Sequence, residues 1–318
     1  MAEANKIYAV VTGANKGIGL ATVQELASRG ITVVLTARNE RRGLDAVQKL
    51  KQLDLKGEIL FHQLDVADQD SVNHFSDFIN NNLKKLDILV NNAAVSSGFP
   101  TDVNKYRDAI STYTKTAAAS MGENKDRDAL SRNAASQMPE NFWEEIFVEN
   151  HETISQCLNI NYYGTKRMCE AMIPFLQLSD FPRIVNVSSS SGRLQNITNE
   201  RAKSVLSNIE SLSEEKIDEL LNEFVEKATM GVPIWTKRAH GYTISKTAVN
   251  AYTRLLSKEY PLMRINAVCP GFVKTDLGYN SGVLSVEEGA DSIVNLALSG
   301  NYCPTGMFFY RKEESSYE

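Results

Sequence analysis

The sequence predicts a doubly wound α/β fold, in which helices cover both faces of a parallel sheet of about seven strands. Short apolar runs alternate with amphipathic helical patterns along most of the 318 residues, an order typical of parallel sheets. Runs such as Ile88-Leu89-Val90 are apolar on both faces, as expected for strands buried between two helical layers. A glycine-rich turn, Thr12 to Gly19, joins the first predicted strand to the first predicted helix.

The predicted elements follow one another at short intervals. Apolar runs predict strands at Ile7–Val11, Ile31–Thr36, Ile59–Gln63, Leu86–Asn91, Arg183–Ser188, Arg264–Cys269 and Met307–Tyr310. Helical spacing of apolar residues predicts helices at Ile18–Arg29, Glu40–Leu53, Ser71–Leu83, His151–Leu178, Tyr242–Tyr260 and Val286–Leu298. Ser285 and Glu288 form a capping-box pattern at the start of the last of these helices.

Two long segments interrupt this order, at about residues 96–150 and 193–239. Each leaves the sheet after a strand, so each is expected over the carboxyl edge, where ligands bind in such folds. The second contains an amphipathic helix, whose apolar stripe is formed by Ile217, Leu220, Leu221, Phe224 and Val225. Each segment could instead cover the core or block an oligomer surface, and the second is the better candidate for substrate contact. The whole chain, residues 1–318, is expected to form a single domain.

Composition argues against several classes of function. The net charge is −5, which does not suit a nucleic-acid or anionic-membrane surface. The N-terminal residues lack an apolar signal segment, and no apolar run reaches the roughly 18 residues of a membrane span. The cysteines show no metal-ligand spacing and are expected to be free thiols in a reducing compartment; they are Cys157, Cys169, Cys269 and Cys303. We expect a cytoplasmic protein with no metal, nucleic-acid partner or membrane partner.

The glycine-rich turn indicates a dinucleotide-binding site. Glycine lets the backbone approach a pyrophosphate closely, and the free N–H groups and dipole at a helix start favour its negative charge. Such a turn is weak evidence alone, but here a strand precedes it and a helix follows it, as the motif requires. The residues expected to contact the dinucleotide in this turn are Gly13, Asn15, Lys16, Gly17, Ile18 and Gly19.

The end of the second predicted strand, Ala37-Arg38-Asn39, indicates which dinucleotide is bound. Enzymes that prefer NAD usually carry an acidic residue here, about 20 residues beyond the glycines. No acid stands at this position, whereas Arg38 and Lys16 offer positive charge that suits a ribose 2′-phosphate. NADP(H) is therefore expected, although both cations could also be ordinary solvated side chains.

Tyr242 and Lys246 are the candidate catalytic pair. Because they are four residues apart, they share a helix face, and an ammonium beside a phenol is expected to lower the tyrosine pKa from about 10. A proton donor nearer working pH suits general acid catalysis. Tyr162 and Lys166 have the same spacing, but they lie near the middle of a predicted helix. Tyr242 opens its helix close to the sheet edge, so position selects Tyr242.

These motifs resemble those of a known family, the short-chain dehydrogenases/reductases, which share a Rossmann-type sheet. The resemblance covers most of the chain. It depends on the glycine turn, Asp65-Val66, Asn91-Asn92-Ala93-Ala94, Asn159-Ile160-Asn161-Tyr162, the serines after Val187, Tyr242 with Lys246, and Cys269-Pro270-Gly271 with Thr275. The insertions are most similar to those of a plant branch that contains salutaridine reductase and the menthone and neomenthol reductases. That branch implies a monomer, while Ala94 departs from the glycine of many members.

The resemblance implies a role for each matching residue. Tyr242 would protonate the carbonyl oxygen, and Ser189 would orient it. Lys246 would lower the phenol pKa and hold the ribose, with Asn161 positioning it through water. Further cofactor contacts are implied for Asp65, Val66, Asn91, Ala93, Pro270, Gly271, Val273 and Thr275. Apart from the family pattern, Asn161 could simply bond to backbone, and Asp65 could cap the next turn.

The expected function is NADPH-dependent reduction of a ketone or aldehyde, with hydride passing to the carbonyl carbon and Tyr242 supplying the proton. Two alternatives remain open. One is reduction of a conjugated carbon–carbon double bond, for which a relative carries a glutamate in place of this tyrosine. The other is a non-catalytic NADP(H)-binding regulatory protein. An apolar monoterpenoid or alkaloid ketone would suit the aromatic residues of the insertions, namely Phe99, Tyr106, Phe142, Trp143, Phe224 and Trp235.

Overall fold

The computed structural model describes residues 6–120, 130, 146–230, 235–236 and 240–318. The strands in these ranges are β1 (Tyr8–Val11), β2 (Thr32–Ala37), β3 (Ile59–Gln63), β4 (Ile88–Asn91), β5 (Gly98–Pro100), β6 (Phe147–Glu149), β7 (Arg183–Val187), β8 (Arg264–Cys269), β9 (Phe308–Tyr310) and β10 (Glu313–Ser315). The α-helices are α1 (Gly17–Ser28), α2 (Glu40–Leu50), α3 (Gln69–Asn82), α4 (Val103–Ser120), α5 (His151–Leu158), α6 (Gly164–Leu176), α7 (Glu200–Ser207), α8 (Glu214–Thr229), α9 (His240–Glu259) and α10 (Val286–Ala297).

The predicted doubly wound sheet is confirmed. Eight strands form one sheet in the order β10-β9-β8-β7-β4-β1-β2-β3. The chain winds outward from β1 through β2 to β3 and then returns to pair β4 with the other side of β1, all in parallel. The segments that follow β1 and β4 therefore lead to opposite sides of the sheet, which creates the crevice where ligands bind in such sheets.

The sheet has one more strand than the sequence predicts. Strand β10 has the sequence Glu-Glu-Ser and pairs antiparallel with β9, with Glu313 opposite Tyr310. Three polar residues give neither an apolar run nor an alternating pattern, so the hydrophobic signal for a strand is missing. Backbone pairing with β9 is what places this segment in the sheet.

Apolar layers pack on both faces of the sheet. Successive side chains of a strand point to opposite faces, so Ala9 and Val11 of β1 join one layer while Val10 joins the other. The first layer is completed by α1, α2 and α10, and the second by α3, α6, α8 and α9. This two-sided burial explains why the central strands are apolar along their whole length.

The long helix predicted over residues 151–178 is interrupted. It consists of α5, a π-helical turn at Asn159–Tyr163, and α6. A π-helical turn inserts one extra residue into the helical ladder and is found frequently at functional sites. Asn161 occupies the centre of this turn and is buried.

The two insertions differ in what they cover. The first contributes α4 and the antiparallel pair β5–β6, in which Gly98 lies opposite Glu149. The second contributes α7 and α8, and the predicted apolar stripe of α8 is buried in the core layer, apart from the partly buried Val225. None of the described residues of α8 lines the cavity at the sheet edge. The expectation that the second segment is the better candidate for substrate contact stays a prediction: its residues Arg193, Gln195 and Asn196 line the cavity, whereas the α8 stripe packs in the core.

Truncation of the α8 stripe should destabilise the protein. Leu221 is 2% exposed, so Leu221→Ala should lower the free energy of unfolding by about 2–5 kcal/mol through lost burial and a residual cavity. Asn222 lies on the exposed side of the same helix, and Asn222→Ala should change the stability by less than about 0.5 kcal/mol. Urea denaturation measures both. Equal stabilities of wild type and Leu221→Ala would contradict the core-sealing role.

Candidate active site

A cavity of about 890 Å³ opens at the carboxyl edge of the sheet, in the crevice between β1 and β4. Most of the site residues predicted from the sequence line it: Gly13, Asn15, Lys16, Gly17, Ile18, Gly19, Arg38, Asp65, Val66, Ala93, Ser189, Tyr242, Lys246, Pro270, Gly271, Val273 and Thr275. Two predicted residues, Asn91 and Asn161, are not part of its lining. The cavity therefore brings together residues from both ends of the chain.

The glycine-rich turn has the geometry that a pyrophosphate requires. Gly13 has a φ of 62°, and a Cβ at this position would lie 2.9 Å from the Cα of Ala93. Among the described residues no side chain caps α1, and its first turn holds no acid. Other helices begin with a side-chain cap, supplied by Asn39, Asp68, Ser213 and Ser285. The N–H groups that start α1 are thus available to an anionic ligand.

Two arginines line the cavity where β2 meets α2. Arg38 follows the strand directly, as predicted, and Arg42 lies in the first turn of α2. Asn39 caps this helix by accepting a hydrogen bond from the Arg42 backbone N–H at 2.9 Å. Arg42 was missed because its direction depends on how α2 leaves the strand. The asparagine cap pattern was the signal that could have placed it.

Lys16 has a carboxylate partner across the cavity. Its Nζ lies 2.7 Å from Oδ2 of Asp276, and both side chains are exposed. The hydrogen bond and charge of Lys16 lower the pKa of Asp276. Asp276 therefore balances part of the positive charge that Lys16 brings to the cavity.

Tyr242 and Ser189 line the same cavity, and the Ser189 side chain is near enough to the phenol to lower its pKa. The Ser189 hydroxyl accepts a hydrogen bond from the Ser191 backbone N–H at 3.1 Å. Burial raises the pKa of Tyr242, the nearby thiol of Cys269 raises it further, and the Ser189 side chain opposes them. The phenol is thus protonated throughout the neutral pH range and can donate a proton.

Lys246 is buried and is bonded to the sheet. Its Nζ donates a hydrogen bond to the Val187 carbonyl oxygen at 2.7 Å and lies 5.8 Å from the ring centroid of Tyr242. Burial lowers the pKa of Lys246 to about 8. The expectation that this ammonium lowers the Tyr242 pKa is wrong for this structure. Burial penalises the charged forms of both groups and is the largest cause of each shift.

The turn that carries Ser189 is tied to the helix that carries Tyr242. Ser188 Oγ donates a hydrogen bond to Asn250 Oδ1 at 2.6 Å, and Asn250 Nδ2 donates to the Gly192 carbonyl oxygen at 2.9 Å. Asn250 lies one turn beyond Lys246 on α9. Hydrogen bonds at Ser188 and Gly192, on either side of Ser189, therefore fix the Ser189 turn against the helix that carries Tyr242.

Asn161 bonds to the backbone of the segment that follows β4. Its Oδ1 accepts from the Val95 N–H at 2.9 Å, and its Nδ2 donates to the Val95 carbonyl at 3.0 Å and to Ser245 Oγ at 3.0 Å. This is the backbone-bonded alternative, with the partner on another segment rather than within the helix. Ser245 directly precedes Lys246, and the predicted action of Asn161 on that lysine stays a prediction.

The structure turns the Asn91 side chain away from the cavity. Its Nδ2 donates to Asn186 Oδ1 at 2.9 Å in the core. Strand alternation directs this side chain into the core, and the prediction that Asn91 lies near the cofactor stays a prediction. Asn92 lines the cavity instead and donates to the Gly13 carbonyl at 3.2 Å.

Asp65 combines two of the expected features. It lines the cavity, and its Oδ1 accepts a hydrogen bond from the Ala67 backbone N–H at 3.0 Å. The carboxylate thus holds the turn after β3 in addition to bordering the site.

The second tyrosine–lysine pair lies away from the cavity. Tyr162 is fully buried and packs edge-on against Tyr252. Lys166 forms ion pairs with Glu214 and Asp218 of α8. Neither Tyr162 nor Lys166 lines the cavity, so this pair joins α6 to the second insertion.

Part of the cavity wall is apolar and aromatic. Tyr106 and Ile110 come from α4, Phe147 comes from β6, and Phe272 and Tyr279 come from the segment after β8. The rings of Tyr106 and Tyr279 meet edge to face at 5.4 Å. This wall suits an apolar ligand.

The sequence predicts substrate contact for several aromatic residues of the insertions. Among those that the structure describes, Tyr106 alone lines the cavity. Phe224 and Trp235 meet in the core, with ring centroids 5.9 Å apart. Phe99 is 49% exposed. Phe142 and Trp143 lie outside the described residues. Helical spacing alone could not separate an aromatic residue of the core from one of the pocket.

One cavity at the edge of a doubly wound sheet holds both the glycine-rich turn and the tyrosine–serine pair. This combination is typical of a dinucleotide-dependent oxidoreductase. A family model described as short chain dehydrogenase matches residues 7–102 and 96–201. A (+)-neomenthol dehydrogenase of Arabidopsis thaliana is 48% identical to this chain, with 100% of both chains covered. The chain belongs to the short-chain dehydrogenase family and is an oxidoreductase that acts on CH–OH or C=O groups. The resemblance inferred from the motifs is confirmed.

Solved structures share the same architecture. Salutaridine reductase from Papaver somniferum has a TM-score of 0.83 and 41% identity, over 96% of this chain and 99% of that one. Menthone neomenthol reductase from Mentha piperita has a TM-score of 0.80 and 40% identity, over 98% and 100%. No helix in the described ranges is long and apolar enough to cross a membrane. The same residues contain no group of three or more side chains suited to hold a metal.

The buried amine should make stability depend on pH. The pKa of Lys246 is about 8 in the folded protein, against 10.5 ordinarily, so the unfolded chain binds more protons between these values. Stability therefore rises with pH across this window, by up to about 1.4 kcal/mol per pH unit. Lys246→Met removes this titration. The difference in unfolding free energy, wild type minus variant, should increase between about pH 8 and pH 10, as urea denaturation measures.

Lys166 provides the matched control for this titration. Its carboxylate partners outweigh burial and raise its pKa above 10.5, so it stays mostly protonated in both states up to about pH 9.5. Lys166→Met should shift the stability by a constant amount, without a change of slope with pH. A flat difference for Lys246→Met as well would show that the buried amine is not the titrating group.

Proposed function

We propose that this enzyme uses NADP(H) to reduce the carbonyl group of an apolar ketone or aldehyde. The observation that carries the proposal is that Tyr242 and Ser189 lie together in the cavity that the glycine turn borders. A phenol and a hydroxyl that meet at one point can bind one carbonyl oxygen from two directions. Lys246 lies beside them, within 5.8 Å of the phenol ring.

Each side chain of the site would perform one task. The nicotinamide would supply hydride to the carbonyl carbon. Tyr242, kept protonated by burial, would donate its hydroxyl proton to the carbonyl oxygen. Ser189 would orient that oxygen and stabilise the negative charge that develops on it. Such acid assistance is typically worth ~10²–10⁴ in rate. Lys246 would hold the nucleotide ribose, and the backbone N–H groups at the start of α1 would bind the pyrophosphate.

The preference for NADP(H) over NAD(H) is supported by the charges near β2. Arg38 and Arg42 both border this part of the cavity, and β2 ends in Ala37 rather than in the acid that NAD enzymes use. An arginine fork binds a phosphate through paired hydrogen bonds. A 2′-phosphate would therefore have two guanidinium partners here.

The substrate class is inferred from the apolar wall. Aromatic rings and Ile110 offer area for burial and few charges, which suits a ring-shaped terpenoid or alkaloid ketone. The names of the relatives, which refer to neomenthol, menthone and salutaridine, support the same class. We also propose, from the sequence, that the protein is a monomer, that it is cytoplasmic and that it forms a single domain.

Removal of the phenol hydroxyl should abolish carbonyl reduction. Tyr242→Phe is expected to bind NADPH with nearly unchanged affinity and to lose ~10²-fold or more in kcat, because the proton donor is gone. Tyr162→Phe makes the same change in the other tyrosine–lysine pair and should keep the wild-type kcat. A panel of menthone-like, alkaloid and simple ketones, followed through NADPH absorbance, measures both. Near-wild-type turnover by Tyr242→Phe would exclude the proposed acid.

Product analysis in the same assay addresses the alternative reaction. With an α,β-unsaturated ketone as substrate, the proposed mechanism gives the unsaturated alcohol. A saturated ketone as the main product would establish double-bond reduction instead. Tight NADPH binding without turnover on any ketone would favour the regulatory alternative.

The two arginines should determine the nucleotide preference. Arg42→Ala is expected to raise the KM for NADPH about 10–100-fold, because one charged hydrogen-bond partner of the phosphate is lost. The KM for NADH should hardly change. Arg41 is adjacent and exposed but does not line the cavity, so Arg41→Ala serves as the control and should leave both values unchanged. Parallel loss of NADPH and NADH affinity in Arg42→Ala would refute a role specific to the 2′-phosphate.

A further inference from the structure

Side chains of the first insertion bind three consecutive backbone N–H groups at the start of α9. Glu149 Oε2 accepts from the His240 N–H at 2.8 Å, and Oε1 accepts from the Gly241 N–H at 3.0 Å. Ser97 Oγ accepts from the N–H of Tyr242 itself at 2.8 Å. The first N–H groups of a helix have no partners within the helix, so the insertion supplies them here.

The β5–β6 pair brings these acceptors together. Gly98 lies opposite Glu149 in this pair, and Ser97 directly precedes Gly98 and is completely buried. A Cβ on Gly241 would lie 2.7 Å from the Cβ of Ser97. The residue before Tyr242 must therefore be a glycine for the serine to come this close.

We propose that Glu149 and Ser97 are positioning residues for Tyr242. Neither lines the cavity, so neither touches the reacting atoms. Both hold the start of α9 so that the phenol stays at the Ser189 hydroxyl. This inference depends on the proposed reduction in one respect only, namely that the Tyr242 hydroxyl acts in the chemical step.

Charge makes the Glu149 contact the stronger of the two. A carboxylate that accepts backbone N–H bonds forms shorter and stronger hydrogen bonds than a neutral acceptor. It also complements the positive end of the helix dipole. Phe147, two residues earlier on β6, lines the cavity. The same short strand therefore borders the ligand and holds the helix of the proton donor.

Glu149→Gln is the test variant, because it is nearly isosteric. It removes the charge and replaces one acceptor oxygen with an NH₂ group, which cannot accept from an N–H. A misplaced phenol should slow the chemical step, so we expect kcat to fall about 10–100-fold. The affinity for NADPH should stay within about twofold of wild type. The deuterium isotope effect with 4-deuterated NADPH should increase, since the chemical step then limits turnover. Ser97→Ala should show the same pattern with a smaller loss.

Asp102→Asn is the matched control within the same insertion. Asp102 Oδ1 accepts from the backbone N–H groups of Asn104 and Lys105 at the start of α4. The substitution removes one carboxylate charge at a helix start that does not carry Tyr242. It should leave kcat and the isotope effect at wild-type values.

Hydrogen exchange gives a readout that does not depend on turnover. In Glu149→Gln, the amides of residues 240–246 should exchange faster, while those of α1 and α10 keep wild-type rates. Faster exchange along the whole chain would mean a general folding defect and overturn the proposal. The same conclusion would follow if kcat fell only in proportion to the fraction of protein that still binds NADPH, with an unchanged isotope effect. Wild-type kcat and local exchange in Glu149→Gln would also overturn it. Absence of reduction by the wild-type enzyme would refute the proposed function instead, and local exchange would still decide the role of Glu149.

Discussion

The hydrogen bond from the Lys246 ammonium to the Val187 carbonyl is the contact on which the rest of the site depends. It joins the helix of the phenol to the end of the strand that precedes Ser189, at 2.7 Å. Asn250 repeats this link one turn further along the helix, through Ser188 and Gly192. Because the helix and the turn are bonded to each other, Tyr242 and Ser189 meet although they belong to distant parts of the chain.

Burial sets the charge state of this site more than attraction does. It shifts the amine and the phenol in opposite directions, and each shift favours the uncharged form. The pair is therefore better described as a protonated phenol next to an ammonium of lowered pKa than as a phenolate next to an ammonium. A carbonyl oxygen that gains electrons finds a proton close by, and no anion has to be stored in the free enzyme.

Local patterns in the sequence were sufficient for the fold and for most of the site. Apolar periodicity places the main strands because each is buried by two layers, and Gly13 is identified because its backbone conformation excludes most residues. Features that depend on three-dimensional context could not be predicted from local patterns. The direction of Arg42 depends on how α2 leaves the strand, and the inward direction of the Asn91 side chain depends on the alternation of side chains along β4. The pKa of Tyr242 depends on how many atoms surround it, which spacing along a helix does not reveal.

The short strand β10 has a consequence for how the molecule meets others. An edge strand of a sheet presents unpaired backbone groups, to which a strand of another chain can add. Here the outermost strand is three residues long, and Glu313 and Glu314 are both exposed. A carboxylate on each face of this strand would repel a like edge, and so short a strand offers few groups to pair. Strand β10 thus protects the β9 edge from intermolecular sheet extension.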